Sequence, residues 1–135
     1  MAYKHILVVD DEANMRNTLT FILEAANYRV SIAENARKAL QVILEAKDSN
    51  CPVDLLITDI VMPDMNGLEL IDEIKRLNLE LPILVITAYG DRKMTNELNR
   101  RGFTDYLPKP FQEDELINRV AALLTKKKEA KNGSQ

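Results

Sequence analysis

The chain holds a single cysteine, Cys51, in 135 residues. One cysteine excludes an internal disulfide, so the fold stands on its core alone and suits a reducing compartment. Cys51 lies in a polar stretch without an adjacent base and reads as incidental. Long hydrophobic runs are also missing: the apolar stretches last only a few residues, and Met1 to His5 leads into one of them without the layout of a signal peptide. A soluble cytoplasmic protein with no membrane contact is the expectation. Excess positive charge is absent too. With 18 Lys and Arg against 21 Asp and Glu, the formal net charge is -3. A surface built for phosphate backbones needs clustered cations, so direct nucleic-acid binding by this chain is not expected. Histidine occurs once, as His5, and no internal repeat is evident. The length suits one domain, in which about two thirds of the unfolded chain's surface can be buried.

What the chain does have is a set of short apolar runs, each ending on a residue that can do chemistry. Ile6 to Val9 ends on Asp10-Asp11, Leu55 to Thr58 on Asp59, Ile83 to Ile86 on Thr87, and Tyr106 to Pro108 on Lys109. The segments between them carry apolar residues at helical spacing. Met15, Leu19, Ile22 and Leu23 predict a first helix over residues 13–26, with Asp11 and Glu12 in front of it. Residues 29–33 read as a second strand, and Ala39, Leu40, Ile43 and Leu44 mark a second helix. Leu68, Ile71, Ile74 and Leu77 mark a third, after Pro63 and Gly67. Between Asp91 and Gly102 only Met94 and Leu98 are clearly apolar, so a fourth helix there buries little and is where motion is expected. A short strand is predicted over 105–107, and Leu116, Ile117, Val120, Leu123 and Leu124 mark a fifth helix. Residues 1–125 form the predicted domain. Residues 126–135 form a polar tail, expected to be a solvated helix end followed by disordered chain, or a linker stub.

Strands too apolar for a water-facing sheet, alternating with helices, indicate a parallel sheet covered on both faces. The carboxyl ends of parallel strands lie along one edge, where open α/β sheets bind ligands. Asp10, Asp11, Asp59, Thr87 and Lys109 then share one pocket. Grouped carboxylates repel, and the remedies are a raised pKa or a bound cation; oxygen ligands with room for water suit Mg2+. Each residue has a plainer role when taken alone. Acids before a helix cap it, Asp59 and Thr87 could cap strand ends, and Lys109 could be an exposed turn lysine. Together they fit phosphoryl transfer to a carboxylate, in which Asp59 attacks, Lys109 supplies positive charge and Thr87 bonds a phosphoryl oxygen.

The stretches Leu7-Val8-Val9-Asp10-Asp11-Glu12, Thr58 to Gly67, Ile86-Thr87-Ala88 and Asp105 to Phe111 jointly resemble the receiver domain of two-component response regulators, of the chemotaxis-regulator type. The resemblance covers about residues 4–124. It implies a flavodoxin-like, doubly wound α/β fold with five parallel strands in the order 2-1-3-4-5 and five helices. It also implies that Asp59 accepts a phosphoryl group from a histidine kinase or phosphotransfer protein. Asp10, Asp11, Asp59 and the backbone carbonyl of Val61 would hold Mg2+, with the Lys109–Pro110 bond cis. Thr87 and Tyr106 would form a switch pair that reshapes the face of helix 4, strand 5 and helix 5, through which many receivers form homodimers. In this family the side chains two positions after Asp59 and Thr87 flank the hydrolytic water. Here they are Val61 and Tyr89, neither carrying an amide or carboxylate. Slow intrinsic dephosphorylation follows, with reset by a partner phosphatase or by the kinase in reverse.

Two stretches depart from the family pattern. Phe103-Thr104 stands where a small and then a polar residue are usual, and the loop over 47–52 is several residues longer. That loop and His5 fall at the end of the sheet away from the site, so the phosphoryl donor must be another protein. The expectation is a signalling switch, catalysing only its own phosphotransfer and autodephosphorylation. One alternative is an N-terminal receiver taken from a longer regulator with an output domain, for example a DNA-binding one. A haloacid-dehalogenase-type phosphatase would need a second acid where Val61 stands, and a flavin carrier would need a phosphate-binding loop where Asp10-Asp11-Glu12 stands.

Overall fold

The computed structural model describes residues 3–88, 92–103 and 106–133, and the side chains of these as far as residue 125. Tyr89, Asp91, Thr104 and Asp105 therefore lie outside the described residues. The chain alternates as β1 (His5–Val9), α1 (Ala13–Ala25), β2 (Arg29–Ala33), α2 (Ala36–Lys47), β3 (Leu55–Asp59), α3 (Gly67–Arg76), β4 (Ile83–Ala88), α4 (Arg92–Arg100), β5 (Tyr106–Lys109) and α5 (Glu113–Gly133). The strands form one parallel sheet in the order β2-β1-β3-β4-β5, which is the expected doubly wound order.

Every residue of β1 and β3 is buried, because side chains alternate between two covered faces. Leu7, Val9, Leu56 and Val85 join residues of α2 and α3 and Leu98 of α4 in one apolar cluster. Ile6, Val8, Ile57, Leu84 and Ile86 join residues of α1 and α5 in the other. Asn35 caps α2 by accepting from the Lys38 amide, and Asn66 with Glu69 forms a reciprocal capping box on α3. Among the described residues no helix is long and apolar enough to cross a membrane.

The structure corrects several local expectations. Leu44 is exposed rather than packed, because α2 turns its Ala36, Ala39 and Ile43 face inward. Leu77 lies just past α3 as its C-cap. β5 reaches two residues further than the predicted strand over 105–107, since Pro108 and Lys109 pair with Thr87 and Ala88. Proline is tolerated there because β5 is an edge strand. The backbone of α5 continues to Gly133, so the polar run from Lys126 is helical well beyond the apolar stripe.

α4 does bury only Leu98, yet ion pairs compensate at its carboxyl end. Arg101 makes two parallel bonds to Asp72 of α3, at 2.9 and 3.0 Å, and a third to Glu97 at 2.9 Å. Lys75 donates to the Arg101 carbonyl at 2.8 Å and stands 5.2 Å above the Phe103 ring. The unusual Phe103 thus packs against the core and under a cation.

At the far end of the sheet His5 is buried with both ring nitrogens partnered. Nδ1 donates to the Cys51 carbonyl at 3.0 Å, which leaves Nε2 to accept from the Ser31 hydroxyl at 2.7 Å. The long loop is stitched there, by its own backbone, away from the strand ends that carry the acids.

Candidate functional site

Strand register gathers the site. Val9 pairs with Thr58, Asp59 with Ile86, and Thr87 with Pro108. Asp10, Asp59, Thr87 and Lys109 consequently end neighbouring strands along one edge. Asp10, Asp59 and Thr87 are nearly buried, at 2 %, 9 % and 2 % exposure. Asp11 is exposed.

Asp10, Asp11 and Asp59 each offer a carboxylate oxygen within 4.8 Å of the other two. Lys109 Nζ donates to Asp59 Oδ2 at 3.1 Å and lies 3.8 Å from Asp10 Oδ2. The other Asp59 oxygen accepts the Ile60 amide at 2.7 Å. Burial pushes the Asp10 carboxyl above its ordinary pKa, and the charges of Asp59 and Asp11 add to this. The Glu12 amide and Lys109 pull the other way. One ammonium facing grouped acids leaves the pocket short of positive charge, so this donor set fits a hard cation held by oxygen.

Glu12 is the N-cap of α1 but makes no side-chain capping bond. The capping oxygen is Asp10 Oδ1, which accepts the Glu12 amide at 2.8 Å, so the two readings of Asp10 are compatible. The Lys109–Pro110 bond is cis. Tyr106 is half-buried and packs on the cluster that holds Leu98 of α4, while Arg119 of α5 donates to its carbonyl at 3.2 Å. Val61 is 63 % exposed beside the site; Tyr89, its counterpart, is outside the described residues.

Two contacts here escaped the sequence reading. Gly67 opens α3 against the backbone of Asp59: its amide donates to the Ile60 carbonyl at 2.8 Å, and a Cβ would stand 2.3 Å from the Asp59 carbonyl oxygen. Arg16 donates from Nη1 to the Asp10 carbonyl at 2.7 Å. The available signal was a cation in the first turn of α1, where the helix dipole disfavours one.

A doubly wound parallel sheet with acids, a threonine and a lysine along its carboxyl edge defines a flavodoxin-like protein of the CheY-like type. A receiver of that description from Methanospirillum hungatei superimposes with a TM-score of 0.82 at 27 % identity, over 96 % of this chain and 99 % of that one. A response regulator structure from Chloroflexus aurantiacus gives 0.81 at 35 % identity, over 92 % and 99 %. The family profile described as "Response regulator receiver domain" matches residues 6–121, and the chain belongs to that family. It is 32 % identical over 120 residues to the transcriptional regulatory protein FixJ of Bradyrhizobium diazoefficiens, covering 89 % of this chain but 56 % of FixJ. The chain thus spans little more than half of that relative. Receivers of this family serve two-component signal transduction as phosphoryl-accepting switches.

Proposed function

We propose that the chain is a Mg2+-dependent switch that accepts a phosphoryl group on Asp59 from a histidine kinase or phosphotransfer protein. The observation that carries this reading is the Lys109 ammonium 3.1 Å from Asp59 Oδ2, beside two further carboxylates. An Asp59 carboxylate oxygen forms the bond to phosphorus as the phosphorus–nitrogen bond of the donor's phosphohistidine breaks. Lys109 neutralises charge on the transferred group, and the Thr87 hydroxyl donates to one of its oxygens. Asp10, Asp11, Asp59 and the Val61 carbonyl would hold Mg2+, which neutralises phosphoryl charge when bound.

Thr87 and Tyr106 are the switch pair in this reading, with the output passed through the face of α4, β5 and α5 to a second copy or another protein rather than to nucleic acid. A largely apolar groove lined by Met15, Thr18, Ile22, Pro110 and Phe111, with Lys109 and Glu113, offers the donor protein a docking face beside the site lysine. Val61 and Tyr89 slow hydrolysis, so a partner phosphatase or the kinase itself resets the switch. The protein works in the cytoplasm.

Intact-protein mass spectrometry after incubation with acetyl phosphate tests the assignment. One phosphoryl adduct is expected with Mg2+. Equal labelling of Asp59→Asn, or labelling undiminished by EDTA, refutes it.

A further inference from the structure

We infer that Arg16 is a positioning residue for the cation site, acting through the peptide that joins Asp10 to Asp11. The inference rests on the function proposed above and extends it to a side chain that ligates nothing.

Successive side chains of extended chain point to opposite faces, yet Asp10 and Asp11 both bring an oxygen to the same small space with Asp59. The peptide between them must therefore be turned, and its orientation decides whether the two carboxylates converge. Besides the Lys109 ion pair at 3.8 Å, three hydrogen bonds hold Asp10. Its amide donates to the Ala33 carbonyl at 3.2 Å, its Oδ1 accepts the Glu12 amide at 2.8 Å, and its carbonyl accepts Arg16 Nη1 at 2.7 Å. The first two fix the amide and the side chain of Asp10. Among the described residues it is the Arg16 bond that acts on the carbonyl, which belongs to the same rigid peptide plane as the amide of Asp11. Asp11 itself is exposed.

The placement of Arg16 runs against local preference. It is the fourth residue of α1, a helix with no acid in its first turn, where the dipole favours negative charge. A guanidinium there meets a cost that its bond to Asp10 offsets. Groups outside the ligand set that orient ligands in this way typically change metal affinity by about tenfold or more when removed.

Isothermal titration of the unphosphorylated protein with Mg2+ tests this. Arg16→Met keeps the aliphatic stem and removes the donor, and is expected to weaken Mg2+ binding about tenfold. At saturating Mg2+ its labelling rate by acetyl phosphate is expected to stay within about twofold of wild type, because the ligands themselves are intact. Arg16→Lys, which keeps the charge and one donor, is expected to fall between them and carries the same comparison if the methionine variant does not fold. Wild-type affinity in these variants, or a loss of rate that saturating Mg2+ does not restore, overturns the inference. Wild-type protein that takes up no Mg2+ overturns the proposed function along with it.

Discussion

Lys109 and Asp59 lie fifty residues apart in the chain and meet as a 3.1 Å ion pair at the ends of β5 and β3. β4 separates these strands, so the pair reaches across the end of an intervening strand, where its Thr87 lies. Lys109→Met is expected to fold and to lower the rate of Asp59 labelling about a hundredfold, the usual cost of losing one group aimed at developing charge. Mass-spectrometric time courses with acetyl phosphate check it.

Asp10→Asn is expected to stabilise the metal-free protein. A carboxyl with a raised folded pKa adds stability below its unfolded pKa and loses it as pH rises through the folded value. Near pH 7 the wild type has lost that contribution, and the asparagine has no such charge to bury. A gain of about 1 kcal/mol, or about 3 °C in melting temperature, is expected in EDTA. With Mg2+ the order reverses, and calorimetry in the two buffers measures both.

Arg101→Met should loosen α4. The guanidinium holds the Asp72 carboxyl below its ordinary pKa, first through their hydrogen bonds. This contribution is present above the unfolded Asp value of about 3.9 and is lost as pH falls through the folded one. Asp72 is half exposed, so the pair contributes about 0.5 to 1 kcal/mol. The expected result is faster hydrogen exchange across α4 near pH 7 and a smaller acid-induced loss of stability than wild type shows.

Gly67→Ala is expected to cost about 2 kcal/mol or more, because the new Cβ has only backbone in front of it: the Asp59 carbonyl oxygen at 2.3 Å and Ile60 Cα at 2.8 Å. Urea denaturation gives the value. A stability equal to wild type would mean that α3 can withdraw from Asp59.

Val61→Asn is expected to shorten the lifetime of phosphorylated Asp59 about tenfold by orienting the attacking water. Decay of the purified phosphoprotein, followed by mass, provides the comparison. A decay no faster than wild type would remove Val61 from the control of hydrolysis.

The sheet was legible because β1, β3 and β4 are buried on both faces and so read as unbroken apolar runs. The residues at their ends were legible because parallel strands must share an edge. The contacts that place those residues were not. Arg16 reaches the Asp10 carbonyl and Arg101 reaches Asp72 through long side chains whose direction no spacing rule encodes. α4 illustrates the limit: its poverty in apolar residues was visible, whereas the Arg101–Asp72 pair that ties its end to α3 joins residues 29 apart in sequence. Tyr106 and Thr87 could be placed on adjacent strands, but the switch proposed for them is a property of two states rather than one.

His5 gives the molecule a finished end. There each ring nitrogen has a partner, and Asp54 accepts the His5 amide at 2.8 Å. The opposite end crowds Asp10, Asp11 and Asp59 around one ammonium and is electrically incomplete. The fold is therefore polarised along its strands. One rim has its polar groups paired around His5, while the other groups three carboxylates beside the Lys109 ammonium, the charge imbalance that the proposed cation would offset. In the proposed function, cation binding at that rim would act on the fold as relief of carboxylate repulsion, at the end of the strands opposite the paired His5.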